Sequence, residues 1–447
     1  MFKRFSIIAV FGAWLLATAV ANAQEVNVQS VPLGAGEREA WMIESHDVPI
    51  ITVRLAFEGA GVASDSKGKG GRAQMASMLL DEGAGELDAL AFQQALQDHA
   101  IRLSFGVDDD TLTVSMETLE EHADKAFELL GLALSQPQLD EHAIARVKAQ
   151  MHTALRQSEE EPRYVASRLL ATELLGNHPY ANPSLGTHES IDALTADDLK
   201  AYLQQYVTEA NLVMAVVGDV DATRLQSLTA QHLAGLSAAS DADVPEIAEL
   251  QLMAAGQTRV QKRDIPQTVV YVGGQGLPRN HPDFYIGYVL NHLLGGGTLT
   301  SRLGDEIREK RGLAYYAYSS LSWQQHGAWF SGGFGTRNSQ APDALSIYMQ
   351  TVRDIQAGNI TQKELDDAKG YLTGAFPLAL ADNDGLAGML ISMQRYGLGK
   401  DYIAKRNDYI EAVTLEEVKR VAGEVLHPSR MVVVAVGDPA KNLADYR

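Results

Sequence analysis

Ile191-Asp-Ala-Leu-Thr-Ala-Asp-Asp-Leu-Lys200 and Ile410-Glu-Ala-Val-Thr-Leu-Glu-Glu-Val-Lys419 are one ten-residue pattern written twice, 219 positions apart and without a gap. The apolar runs that follow agree at the same offset. Leu212-Val-Met-Ala-Val-Val-Gly-Asp219 answers Met431-Val-Val-Val-Ala-Val-Gly-Asp438, each a β-branched stretch closed by Gly-Asp. Toward the front, Asp47-Val48-Pro49 answers Asp264-Ile265-Pro266 at an offset of 217. Self-similarity at a long, fixed offset marks a duplicated structural unit. Two related domains of about 210 residues follow, and the length of 447 residues requires such a division, because single cores stop growing near ~250–300 residues.

Each half reads alike. An alternating strand (Ile50 to Phe57; Thr268 to Gly273) leads through a loop to a helix rich in small and apolar residues (Gly71 to Leu80; Tyr285 to Leu294). Amphipathic helices and a closing strand come next. Thr195 and Thr414 each precede an acid-rich first turn, the composition of a helix N-cap whose acids complement the helix dipole. The fold class is therefore α+β: two homologous α/β sandwich domains with mostly antiparallel sheets, spanning 24–234 and 258–447. Residues 235–257, rich in Ala, Ser and Asp and without a clean period, read as the linker, either a hinge that lets the halves close around something or a passive tether.

Lys3 and Arg4, an apolar run from Phe5 to Val20, and Ala21-Asn-Ala23 make residues 1–23 read as a signal peptide cut after Ala23. A retained anchor is the alternative, but a spanning helix needs roughly 20 apolar residues and this run is shorter. Export to the periplasm is the expected address, with no membrane span after signal removal. With no cysteine, disulfides, thiolate nucleophiles and Cys-ligated zinc are excluded. The net charge of −20 becomes −22 without Lys3 and Arg4, which excludes nucleic acid as a natural partner and suits either solubility or attraction of basic peptides.

The 12 histidines form no H-E-x-x-H, no H-x-x-E-H and no pair at i, i+4, so no zinc-ligand spacing is present. Gly295-Gly296-Gly297-Thr298 and Gly68-Lys69-Gly70-Gly71 lack the rest of a phosphate-binding loop and read as sites of positive φ or close backbone approach. More suggestive is Leu294-Gly-Gly-Gly-Thr-Leu-Thr-Ser-Arg302-Leu303, followed by Glu306-Ile-Arg308-Glu-Lys-Arg-Gly312-Leu313-Ala-Tyr315-Tyr316. Arg308 ends a short amphipathic helix and Tyr315 opens a strand seven residues on, so guanidinium and phenol can converge on one carbonyl and on its developing oxyanion. Alternatively, Arg308 pairs with Glu306 or Glu309 at the surface and Tyr315 fills core. Spacing leaves both open.

With these residues in hand, the chain from about Gln29 onward resembles the pitrilysin superfamily, the inverzincins, and in particular the non-zinc subunit of its bacterial two-subunit members and of mitochondrial processing peptidase. That family carries H-x-x-E-H on an early helix, a further Glu about 76 residues on, and in its second half an arginine/tyrosine pair that holds substrate. Anchored on Gly71 and Ala73, the resemblance puts Gln74, Ser77 and Met78 where His, Glu and His belong, and Ala154 or Leu155 where the distal Glu belongs. The metal site is thus degenerate and this chain should hold no metal, whereas Arg308 and Tyr315 match the family pair. His178-Pro179-Tyr180 and Gly186 match family scaffold, and Gly83 reads as a left-handed C-cap ending the former metal helix.

The resemblance implies a non-metal-binding accessory subunit, inactive alone and forming half of a clam-shell. It would position extended peptide substrate for a zinc-bearing homologous partner. A non-catalytic scaffold or peptide-binding protein of the same fold is the rival reading. An independent peptidase has no histidine cluster to stand on.

Overall fold

The computed structural model describes residues 27–33, 38–239, 246–253 and 256–446. The expected signal peptide lies outside the described residues, as do parts of the expected linker. The first half runs β1 (Gln29–Pro32), β2 (Glu39–Glu44), β3 (Ile50–Glu58), α1 (Arg72–Leu79), β4 (Gly83–Ala84), β5 (Leu87–Asp88), α2 (Ala89–Asp98), β6 (Arg102–Val107), β7 (Thr111–Leu119), α3 (Ala123–Ser135), α4 (Glu141–Glu160), α5 (Pro162–Leu175), α6 (His188–Ala193), α7 (Ala196–Tyr206), β8 (Leu212–Gly218) and α8 (Ala222–His232). The second runs β9 (Thr258–Lys262), β10 (Gln267–Gln275), α9 (Phe284–Asn291), β11 (Ala317–Gln324), β12 (Gly327–Arg337), α10 (Ala341–Gln356), α11 (Gln362–Ala375), α12 (Asn383–Arg395), α13 (Tyr402–Glu411), α14 (Leu415–Val425) and β13 (Val432–Gly437).

Each half builds one main sheet. The first has the order β1-β2-β8-β3-β7-β6 and the second β9-β13-β10-β12-β11, which is the same order once β1 is set aside. In both, neighbours are antiparallel except the pair formed by the closing strand, β2 with β8 and β9 with β13. The duplication read from sequence is thus a duplication of topology. The Thr195 and Thr414 hydroxyls accept from the Asp198 and Glu417 backbone N–H groups, and those acids answer back to the threonines' own N–H groups, so both helices start in a full capping box.

The closing strands are apolar at every position because both faces of each sheet are covered, and the covering alternates with the pleat. Met214 and Val216 face the core of their own half, while Ala215 and Val217 pack against Ala387, Leu390 and Met393 of α12, a helix of the second half. In the second sheet Val433 and Ala435 face their own core, while Val432 and Val434 pack against Leu170 and Leu174 of α5, a helix of the first half. Each half therefore lends one helix to the outer face of the other's sheet.

Polar contacts tighten the join. Arg54 on β3 forms a forked pair with Asp384 on α12, its Nη2 lying 2.6 Å from Oδ1 and 2.7 Å from Oδ2. Tyr180 donates to Asp110 at 2.6 Å and accepts from the His326 N–H at 3.0 Å, while the Gln325 N–H donates to the same carboxylate at 2.9 Å. Of the expected linker, Leu236 packs in the first half's core and Ser237 bridges to Thr208, whereas residues 246–253 lie along this join. Leu250 N–H donates to His326 O and Met253 N–H to Leu174 O.

Gly83 departs from the expected C-cap. Helix α1 stops at Leu79, and Gly83, at φ +113°, begins the small hairpin of β4 and β5, where a Cβ would stand 2.9 Å from Leu87 O. Its positive φ serves a tight hairpin and not a helix end. Among the described residues no helix is long and apolar enough to cross a membrane.

Candidate functional site: an exposed arginine and tyrosine

Arg308 lies in a π-helical turn, Gly304–Glu309, and not at the end of an amphipathic α-helix. Gly312 then reverses the chain in the left-handed region, φ +57°, with its N–H on Arg308 O and the Leu313 N–H on Ile307 O. This turn brings Tyr315 back over the arginine, and the guanidinium carbon sits 4.7 Å from the phenol ring centre. Tyr315 precedes β11 by two residues and does not open it.

Tyr315 is 81% exposed, so it fills no core. Its neighbour Tyr316 points the other way, and the guanidinium of Arg163, at the start of α5, lies 4.6 Å from the Tyr316 ring centre. A residue of the first half thus clamps the segment and leaves Tyr315 free. Of the local acids, Glu306 is engaged by Lys310 at 2.7 Å and by Arg311, and these cations hold its carboxyl below the usual range. Glu309 is the carboxylate on Arg308, at 3.3 Å, and it is itself half exposed. The guanidinium therefore keeps donors to spare for an incoming carbonyl, and the adjacent phenol adds one more.

The positions that the resemblance makes a degenerate metal site lie elsewhere, in the first half. Gln74, Ser77 and Met78 are on α1, and Ala154 is on α4, which packs against it. Ser77 is 1% exposed and spends its hydroxyl on Gln74 O at 2.8 Å. Met78 packs against the core of its half. Neutral amide, hydroxyl and thioether with no carboxylate are not a donor set for zinc, so the residues do not fit the ion that the resemblance places there. Among the described residues no group of three His, Asp or Glu side chains is arranged to hold a metal. No hydrogen bond, ion pair or ring contact joins these positions to Arg308 or Tyr315 among the described residues.

The start of α1 carries a group that sequence reading missed. Asp65 accepts from the backbone N–H groups of Gly71 at 2.8 Å and Ala73 at 3.0 Å, supplying a cap that Gly71 has no side chain to give. Burial pushes its carboxyl up to about 6, against the pull of those N–H groups and Arg72. Gly71, at φ +84°, lies so close to Leu185 O that a Cβ would stand 2.6 Å from it, and Gly186 presses on Gly70 O in the same way. An aspartate six residues ahead of a glycine is a weak signal in sequence. Close backbone approach was legible in the glycines themselves.

A duplicated α+β fold, an exposed arginine/tyrosine pair and, among the described residues, no group of side chains arranged to hold a metal mark a metallopeptidase-like chain. The chain belongs to the peptidase M16 family: residues 42–188 match the insulinase (peptidase family M16) domain and residues 193–372 the peptidase M16 inactive domain. It is similar to the "non-peptidase homolog YmxG" of Helicobacter pylori, 30% identical over 423 residues, which cover 93% of this chain and 94% of that one. It is also similar to the "uncharacterized zinc protease YmxG" of Bacillus subtilis, 26% identical over 69% of this chain and 74% of that one. The crystal structure of a peptidase M16 inactive domain from Pseudomonas fluorescens superposes with a TM-score of 0.86 at 29% identity, covering 93% of this chain and 98% of that one.

Proposed function

We propose that this chain is a non-catalytic subunit that pairs with a zinc-bearing homologue and presents Arg308 and Tyr315 to an extended peptide, the two chains facing each other as halves of a clam-shell. The observation that carries the reading is the converged, solvent-facing pair in a chain whose own metal positions are Gln74, Ser77, Met78 and Ala154.

In this reading the guanidinium and phenol donate to the substrate carbonyl, and their bonds strengthen as charge develops on that oxygen. The partner supplies the zinc and the water it activates. Export to the periplasm belongs to the same proposal. The reading is tested by mixing the purified chain with a zinc-bearing M16 homologue from the same source and measuring mass by light scattering. A one-to-one complex of about twice the chain mass is expected. Two species that elute separately at micromolar concentration would contradict it.

A further inference from the structure

A second pocket lies where α12, the helix lent to the first half's sheet, meets α9, α11 and α13 of its own half. Helices α9, α11, α12 and α13 flank an open pocket of about 360 Å³ whose walls include Phe284, Trp323 and Phe376 and two arginines, Arg279 and Arg406. No acidic side chain lines it, in a chain whose net charge is −20.

Neither arginine has a carboxylate partner among the described residues. The Arg279 guanidinium lies 4.2 Å from the Phe284 ring centre, and its Nη2 donates to the hydroxyls of Tyr285 at 3.1 Å and Tyr402 at 3.2 Å. Arg406 is only 7% exposed, lies 4.4 Å from the Phe376 ring centre and bonds through Nη1 to Leu372 O at 2.7 Å and Asn407 Oδ1 at 3.0 Å. All these partners are neutral. Buried cations are ordinarily paired with an acid, and here the surroundings supply π faces, phenols and a carbonyl instead.

We propose that this cavity binds a small carboxylate carried on an apolar body. The carboxylate takes the unused guanidinium donors in a charge-assisted, forked geometry, and the body stacks among the aromatic walls. The volume lies at the low end of the ~300–1,000 Å³ typical of small-molecule sites, so the ligand is the size of one aromatic acid or a short acyl chain. Such a group comes either from the free C-terminus of a peptide ending in an aromatic residue or from a free small acid. The proposal stands independently of the subunit role.

The test is calorimetric titration of the full chain with N-acetyl-phenylalanine, N-acetyl-phenylalanine amide and 3-phenylpropionate. The expected result is one saturable site for the acids, with the amide weaker by about tenfold or more. Arg279→Gln should weaken the acids by a similar factor, and Arg279→Lys should recover part of it. Tighter binding of N-acetyl-phenylalanine than of phenylpropionate identifies a peptide terminus as the source, and the reverse order a free acid. Arg406→Gln serves as a second variant where circular dichroism shows it folded, and Arg279→Gln decides where it does not. Equal affinity for acid and amide, acid binding unchanged in Arg279→Gln, or no saturable binding to folded protein at about 10 mM would overturn the proposal.

Discussion

Leu174 of the first half occupies the space that a side chain on Gly273 of the second would need: a Cβ built on that glycine stands 2.8 Å from Leu174 Cδ2 and 2.9 Å from Leu170 Cδ1. The contact is one side of a reciprocal exchange, in which α5 covers the second sheet and α12 the first. Neither sheet can keep both faces dry without the other half.

Unfolding should therefore be a single cooperative transition, although the chain contains two domains. Leu174→Ala, at a site 1% exposed, should cost about 2–5 kcal/mol. Gly273→Val should cost at least about 1–3 kcal/mol by forcing the helix outward. Both should shift the whole transition measured by circular dichroism in urea. Two resolved transitions, with only one moved, would contradict the exchange as the source of cooperativity.

Tyr180→Phe removes a hydroxyl that donates to Asp110 and accepts from the His326 N–H. The ring remains, but a buried carboxylate loses a donor and a backbone N–H its acceptor, at about 1–3 kcal/mol. The expected outcome is a lower urea midpoint with an unchanged slope. A variant as stable as the parent would show that water replaces the hydroxyl at no cost.

The duplication was fully legible in sequence, because strand and helix start were both repeated: the Gly-Asp strand ends and the Thr195 and Thr414 capping boxes reappear at equivalent places in the two halves. The exchange of helices was not. An amphipathic helix such as α12 declares that it has an apolar face but not whose sheet that face covers, and the uninterrupted apolar runs of β8 and β13 say only that both faces are covered. At the site, spacing left two readings of Arg308 and Tyr315 open. The turn at Gly312 brings the pair together within a few residues, and the clamp of Arg163 on Tyr316, between residues far apart in the chain and so invisible to spacing, accompanies a Tyr315 turned to solvent.

Asp65 should give stability a recognisable pH dependence. Its folded-state pKa of about 6 is raised above the unfolded value near 3.8, so between those values the folded state binds more protons than the unfolded state. Its contribution is then most favourable below pH ~4 and falls as pH rises through about 6. Relative to Asp65→Asn, which cannot titrate and loses one acceptor, the parent should be favoured more at pH 4 than at pH 7, by up to about 3 kcal/mol. Urea titrations of both proteins at the two pH values read this directly. A gap that stays constant or widens toward pH 7 would contradict the sign.

Zinc and strong chelators should leave the melting temperature of the parent unchanged, because Gln74, Ser77, Met78 and Ala154 offer no ligand set. Restoring His, Glu, His and Glu at these positions should destabilise the metal-free protein by about 2 kcal/mol or more, since position 77 is 1% exposed and would receive a carboxylate. Zinc should recover much of that loss in the restored protein. Stoichiometric zinc uptake by the unmodified chain would refute the dismantled-site reading.

The most direct test of the proposed role is cleavage of an extended fluorogenic peptide by this chain alone, by a zinc-bearing M16 homologue alone, and by the two mixed, with Arg308→Ala and Tyr315→Phe beside the parent. The account predicts turnover that requires the mixture and falls by about 10–1,000-fold with either substitution, while thermal stability and complex formation stay as in the parent. Cleavage by the partner that is indifferent to this chain, or that rises on mixing equally well with both variants, would contradict it.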